Sequence, residues 1–431
     1  LKIFMKKEPS KFFVQDKNKV FWTLLFIIIL CLIFWFVSRY PALDSKSIME
    51  GATNFDGIGF DKVIAIPDNA PTYKKILGNT VNWLETNRNG MTFGVLFAAA
   101  MMLLFSLLEN LKFRHPFTNS LIGMFIGFPL GVCVNCAAPI AQGVHKGGGR
   151  AETALSMMMS SPTLNVVVLT MTFTMFPFYM AMLKVVISLL VVLIAVPIIT
   201  PLFYSKKKMV LSDIEEQKIA EKSITPFQSE YSEAQPTKNL WDSFLWFLKA
   251  YLKRLWYIIK MTVPLMFLAG FLGNILIEYL PWEILGEIGM QNPLGKNLLI
   301  MLAVAVVGVL LPVPIAFDII VVTVLMATGL PPLFAMVLLF TLGSFSVYSF
   351  FITWQTFNLR LAFSLGLIIT FLGIGGGLIA HKIGQAKSIE QMETYRNVLA
   401  QTNPKSPERL FFPANQTSFS YDSIQKVIKK N

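Results

Sequence analysis

Charge is scarce in this chain: acidic and basic residues make up only 14% of the 431 residues, against roughly 25% in soluble proteins. With 54% hydrophobic residues and a mean hydropathy of +0.59, a pair of ordinary soluble domains is excluded, and the chain reads as an integral membrane protein. Cysteine is equally sparse. Cys31, Cys133 and Cys136 all fall inside apolar stretches, which excludes the disulfide framework of an extracellular module. A structural zinc site wants four ligands, and near the cysteine pair only His145 could add one, so no metal and no cofactor is expected. Nucleotide loops are missing too. GMQNPLGKN at 289–297 has neither the spacing of a phosphate loop nor its Ser/Thr, and GIGGG at Gly373–Gly377 sits in an apolar helix with no preceding strand. The glycines there read as close helix packing, and no ATP motor is encoded. The 37 Lys and Arg against 25 Asp and Glu give a net charge of +12. This excess lies in short runs beside apolar segments, not on aromatic-interleaved polar faces, which argues against nucleic-acid binding.

What the chain does have is long charge-free runs. Crossing a hydrocarbon core takes about 20 apolar residues as helix. Val20–Ser38, Asn89–Leu108, Phe117–Val144, Thr153–Leu183, Val185–Ser205, Met261–Ile277, Asn297–Phe317, Ile319–Leu359 and Leu361–Ala380 are of that order or longer. The first follows several lysines but lacks a small-residue cleavage site, so it reads as a retained anchor. Residues 40–89 read as a small external loop. After the linker that begins Lys206-Lys207-Lys208, Trp241, Leu245, Leu248, Leu252, Leu255 and Ile259 recur at helical spacing opposite Lys249 and Lys253. That segment is either a helix lying on a membrane surface or the extended start of the next crossing helix.

Single crossings throughout would place Lys206-Lys207-Lys208 and the HKGGGR run at 145–150 outside, against the positive-inside rule. The conflict disappears if Phe117–Val144, interrupted by FPLGVCVNCAAP, and Asn297–Thr328, interrupted by LPVPIAFD, enter and return as re-entrant half-helices. The acidic loop Glu278, Glu283, Glu287 then lies outside and Arg360 inside, while the tail from Lys382 is left outside despite its basic residues. A faint repeat supports two halves: Pro139–Ala141 matches Pro314–Ala316, Gly147 falls on Gly329, and Ser161-Pro162 falls on Gly343-Ser344. Three crossings and one hairpin per half make the copies antiparallel, as in many secondary transporters that bind substrate at the midplane. The expected fold is therefore an all-α polytopic membrane protein of two inverted repeats with broken or re-entrant helices. Residues 1–88 hold the anchor helix and external loop, 89–204 the first repeat, 205–240 a cytoplasmic linker, 241–381 the second repeat and 382–431 a polar tail.

Candidate chemistry clusters at the breaks. Cys133 and Cys136, three apart, share one helix face beside Asn135 and Pro139; they can hold a soft ion, exchange disulfides or simply pack. In SSPTLN, Ser161 reads as an N-cap and Pro162 as the first helical position, so that free amides with Ser160, Thr163 and Asn165 suit an anion or oxyacid. A plain proline kink is the alternative. Ser344, Ser346 and Tyr348 at the mirror position offer a facing wall. Asp318, following the second break, is a proton carrier or cation partner if it lies within the membrane, and an ordinary cap if it lies near the surface. Lys184 is expected to snorkel to the outer surface. HKGGGR offers a phosphate cradle or hinge, or a plain flexible connection.

The segment FPLGVCVNCAAPIAQGVHKGGGRAETALSMMMSSPTLN resembles the predicted permease family that contains the organoarsenical (methylarsenite) efflux permeases. The resemblance spans roughly 90–204 and 241–381. Cys133 keeps the distance of the family's first cysteine from Pro139, Asn135 stands where the second would be, Cys136 is shifted by one, and Ser161, Pro162 and Asn165 match the SP-x-LN motif. The resemblance implies a polytopic permease, and cysteines that bind a trivalent arsenical. The expected function is a secondary permease of the bacterial inner membrane, not an enzyme, moving a small thiophilic or oxyanionic solute or ion through a midplane site. Metalloid efflux is one form of that activity. The rivals are a membrane-embedded thiol redox enzyme using Cys133 and Cys136, and a non-transporting scaffold that docks partners through the basic helix and the tail.

Overall fold

A computed structural model describes residues 16–41, 63–67, 69–108, 115–203, 239–279, 294–327 and 330–402. The described secondary structure is helical throughout. Helix α1 spans Lys17–Arg39, with Asp16 capping it by accepting from the amides of Asn18 and Lys19. Two runs of elements then follow in the same order. In the first, the long helix α2 (Thr72–Leu107) precedes the half-helices α3 (Pro116–Gly127) and α4 (Val134–Lys146). Half-helices α5 (Ala151–Thr163) and α6 (Val166–Met175) and the helix α7 (Phe178–Phe203) complete it. In the second, α8 (Leu240–Tyr279) is followed by α9 (Leu294–Leu310) and α10 (Phe317–Ala327), then by α11 (Pro332–Ser344) and α12 (Val347–Thr356), and finally by α13 (Leu359–Thr402). The basic, aromatic segment after the linker is thus the start of the continuous crossing helix α8.

The two runs are related by inversion. Gly270 of α8 abuts Trp83 of α2, Lys75 pairs with Glu278, and Tyr251 donates to the Leu96 carbonyl, so α2 and α8 are antiparallel. Gly376 abuts Ile187, Gly384 abuts Tyr179, and Asn358 donates to the Phe203 carbonyl, so α7 and α13 are antiparallel as well. Across the same pseudo-axis α4 packs on α12, α6 on α10 and α5 on α11. Two antiparallel pairs of equivalent helices require an axis perpendicular to them, which in a bilayer lies in its plane.

The hairpin α3–α4 returns to the end it left. Gly94, Gly143 and Gly147 sit in turn against Cys136, Ala98 and Met102, which makes α4 parallel to α2. Gly123 and Gly127 sit against Thr153 and Met157, which makes α3 parallel to α5. Helices α3 and α5 therefore both leave the end that α2 and α4 reach. One end gathers Ser106, His145, Phe203 and Phe357, with the His145 and Phe357 rings 4.5 Å apart; its Lys17, Lys146, Arg150 and Arg360 make it the basic end. Helices α5 and α6 together pass from this end to the other, and α11 and α12, whose axis bends by 44°, pass back from the other end to this one.

The repeat is out of register with the tripeptide match. Pro139–Ala141 lies inside α4, whereas Pro314–Ala316 lies in the break before α10. The structure instead pairs the breaks by their backbone. Gly131 (φ 58°) and Ala316 (φ 60°) are both left-handed and stand shortly before α4 and α10. At Gly131 the turn requires glycine, because a Cβ would also meet the Trp35 ring of α1 at 2.9 Å. The GIGGG run does serve helix packing: Gly373 and Gly377 of α13 lie against Thr341 and Leu333 of α11.

Much of the linker with Lys206-Lys207-Lys208, most of the acidic loop, the end of the tail, Gly329 and most of GMQNPLGKN lie outside the described residues.

Candidate functional site

The centre of the molecule is where interrupted helices end. Cys133 caps α4, its sulfur accepting from the Cys136 amide at 3.3 Å, and the two cysteines pair as a disulfide with Cα atoms 5.2 Å apart. Both are buried, and a Cβ on Gly90 or Gly94 of α2 would collide with Cys136. Asn135, in the first turn of α4, is fully buried. Its Nδ2 donates to the Val313 carbonyl in the second break at 3.2 Å, and its Oδ1 accepts from the Ser346 hydroxyl at 2.8 Å. Ser346 is itself the cap of α12, accepting from the Ser349 amide at 3.1 Å, and Ser349 Oγ donates to the Val134 carbonyl at 3.4 Å. The amino ends of α4 and α12, one from each half, are thus joined through Asn135, Ser346 and Ser349. Trp83 Nε1 donates to the Pro312 carbonyl at 2.6 Å and fixes the second break against α2.

The other break is placed differently from the sequence expectation. Ser161 and Pro162 belong to the last turn of α5, and the cap of α6 is Asn165, whose side chain accepts from the Val168 amide at 3.0 Å and donates to the Ser161 carbonyl at 2.6 Å. An asparagine with extended backbone caps a helix as well as a serine does, and Pro162 is carried inside α5. Ser161 still reaches the first break, its hydroxyl 3.4 Å from the Val132 amide. Ser160 bonds to the Met124 carbonyl of α3, while Thr163 and Ser344 return their hydroxyls to their own helices. Tyr348 is buried on α12 beside Thr262 of α8. Cys133, Asn135, Cys136, Ser161 and Ser346 are therefore brought together around the α4 turn, whereas Thr163, Ser344 and Tyr348 serve elsewhere.

Lys184 does not snorkel. It is buried in α7, and its Nζ lies 2.7 Å from Asp318 Oδ2 in the first turn of α10. Asp318 sits where the helix dipole favours an anion, and Gly343 leaves room for it: a Cβ there would fall 2.7 Å from Oδ2. Two charges 134 positions apart in sequence give no local signal of pairing; the available hint is that each is the lone charge in a long apolar run. Ser349 and Gln142 were likewise not singled out as site residues. Gln142 follows Asn135 by seven positions and so shares its face of α4. No group of three or more potential metal ligands occurs among the described residues.

Three comparisons bear on this arrangement. A family model described as "Predicted permease" matches residues 89–382. The UPF0718 protein YraQ of Escherichia coli (strain K12) is 25% identical over 267 residues, which cover 62% of this chain and 68% of that protein. No solved structure matches. Broken helices meeting inside an inverted, polytopic membrane fold are an architecture of many secondary transporters, and with the family model covering more than half of its length, this chain belongs to the predicted permease family.

Proposed function

We propose that the chain is a secondary permease of the inner membrane that moves a small thiophilic or oxyanionic solute, including a metalloid exported from the cell, through the junction of α4 and α12. The observation that carries this reading is the meeting of the two helix amino ends around Asn135, Ser346 and Ser349, one turn from Cys133 and Cys136. Free amides at a helix start favour an oxyanion or hydroxyl oxygen. The cysteines, when reduced, place two soft ligands beside them. Ser161 closes the first break from the other side.

Asp318 is the coupling residue in this reading. Protonating its carboxylate would break the pair with Lys184 and loosen α7 of one half from α10 of the other, so that proton uptake changes how the halves fit. Purified protein in liposomes tests the reading. With a trivalent metalloid as solute, flux is expected in the parent protein and loss of at least ten-fold in Cys133→Ala and Ser161→Ala, both still inserted in the membrane. Asp318→Asn is expected to leave flux indifferent to a pH gradient. Normal flux in both the cysteine and serine variants would overturn the site. The paired cysteines also favour a second reading, thiol–disulfide exchange within the membrane. Trapping a mixed disulfide with a partner, without solute flux, would support it.

A further inference from the structure

The Ser349 bond to the Val134 carbonyl, the approach of Gln142 to Gln355 at 3.5 Å and the His145–Phe357 ring contact show α4 and α12 running side by side from the central junction to the basic end. The seam between them is polar. Asn135 and Gln142 lie on one face of α4, and Ser349, Thr353 and Thr356 recur at helical spacing on α12. Gln142, Thr353 and Thr356 are 0%, 1% and 6% exposed, yet Gln142 Oε1 and both threonine hydroxyls have no hydrogen-bond partner. That is unusual for a helical threonine inside a membrane, which returns its hydroxyl to the carbonyl one turn back. The buried Thr172 of α6 and the half-buried Thr323 of α10, on the helices of the pseudo-symmetric seam, both do so. Buried polar groups left open in this way are costly unless water or a ligand meets them. At the basic end the seam opens at the exposed Gln355.

We propose that the α4–α12 seam is a hydrated passage that leads the solute from the central junction to the basic end and takes it as an uncharged, hydroxyl-bearing species. Neither α4 between Val134 and Val144 nor α12 carries Asp, Glu, Lys or Arg. An ion entering the seam would lose hydration without meeting a countercharge, whereas a neutral hydroxylated solute exchanges its bonds to water for bonds to Gln142, Thr353 and Thr356. The inference rests on the permease reading and narrows its substrate to the protonated form of a weak acid.

The test reads water and charge rather than transport. Thr353→Cys and Thr356→Cys, near-isosteric changes, are compared in membranes with Thr172→Cys on the mirror seam. The probes are neutral hydroxyethyl methanethiosulfonate and its anionic sulfonatoethyl analogue. Modification is followed peptide by peptide by mass spectrometry, so that the native cysteines stay in place. The neutral reagent is expected to modify both seam cysteines at least ten-fold faster than the Thr172 position. The anionic reagent, corrected for its intrinsic reactivity, should lag at least ten-fold at position 353. A Thr353 cysteine as unreactive as that at 172 would overturn the passage, and equal reaction with both reagents would overturn the preference for uncharged solutes. Absence of flux in liposomes would instead count against the permease reading and leave the labelling result standing.

Discussion

Lys184 and Asp318 show what a single buried pair does to a membrane fold. Their side chains are 2% and 5% exposed, so removing one leaves the other charge without solvent or partner. Lys184→Met should destabilise the protein by about 3–5 kcal/mol, and adding Asp318→Leu should return most of that loss, because a matched apolar pair costs less than an orphaned carboxylate. Thermal unfolding in detergent micelles measures both. Ala316 gives the opposite expectation. Its left-handed backbone strains any residue with a Cβ, and Ala316→Gly should raise stability by up to about 1 kcal/mol, whereas Gly131→Ala, which adds both strain and the Trp35 clash, should lower it by at least that much. At this scale the sequence was partly legible. Asp318 stood out as a lone acid, but its partner lies on another helix of the other half. The choice between Ser161 and Asn165 as cap turned on whether Pro162 ended one helix or began the next, which local propensity does not decide.

At the scale of elements, the breaks are held by caps, and these set which half-helix starts where. Asn165→Ala and Ser346→Ala each delete a cap worth about 1 kcal/mol, and Ser346→Ala additionally leaves Asn135 Oδ1 without its donor. Ser346→Ala is therefore expected to lower the unfolding midpoint more than removal of the cap alone would. Charge-free length and Pro/Gly interruptions were enough to locate both re-entrant segments, because a backbone freed inside lipid must be answered by other protein groups. They were not enough to align the repeat. The tripeptide Pro-Ile-Ala recurs on opposite sides of the two breaks, and shared composition among small apolar residues outweighs true register when the copies have diverged this far.

For the whole molecule, the placement of basic residues proved the most informative feature of the sequence, since it required two hairpins that return to their own side. Cysteines placed at His145 and Arg360 should label from one face of the membrane, and cysteines at Tyr179 and Gly384 from the other. Labelling of His145 and Arg360 positions from opposite faces would contradict the hairpin α3–α4. The pseudo-axis itself was foreshadowed only by the odd number of crossings per half. The packing that makes it visible, α2 on α8 and α7 on α13, depends on small residues meeting large ones across long sequence distances.

Asn135 and Asp318 are each the second residue of an inward half-helix, one in either copy. The two halves thus differ electrically at corresponding positions: an amide in the first, a carboxylate in the second that reaches across to Lys184 of the first. In the proposed coupling, protonating Asp318 would uncover the positive charge of Lys184 among the crossing helices, where a transmembrane voltage would act on it. If Asp318 couples transport as proposed, turnover would draw current even when the cargo is neutral, through a charge pair to which each copy contributes one member.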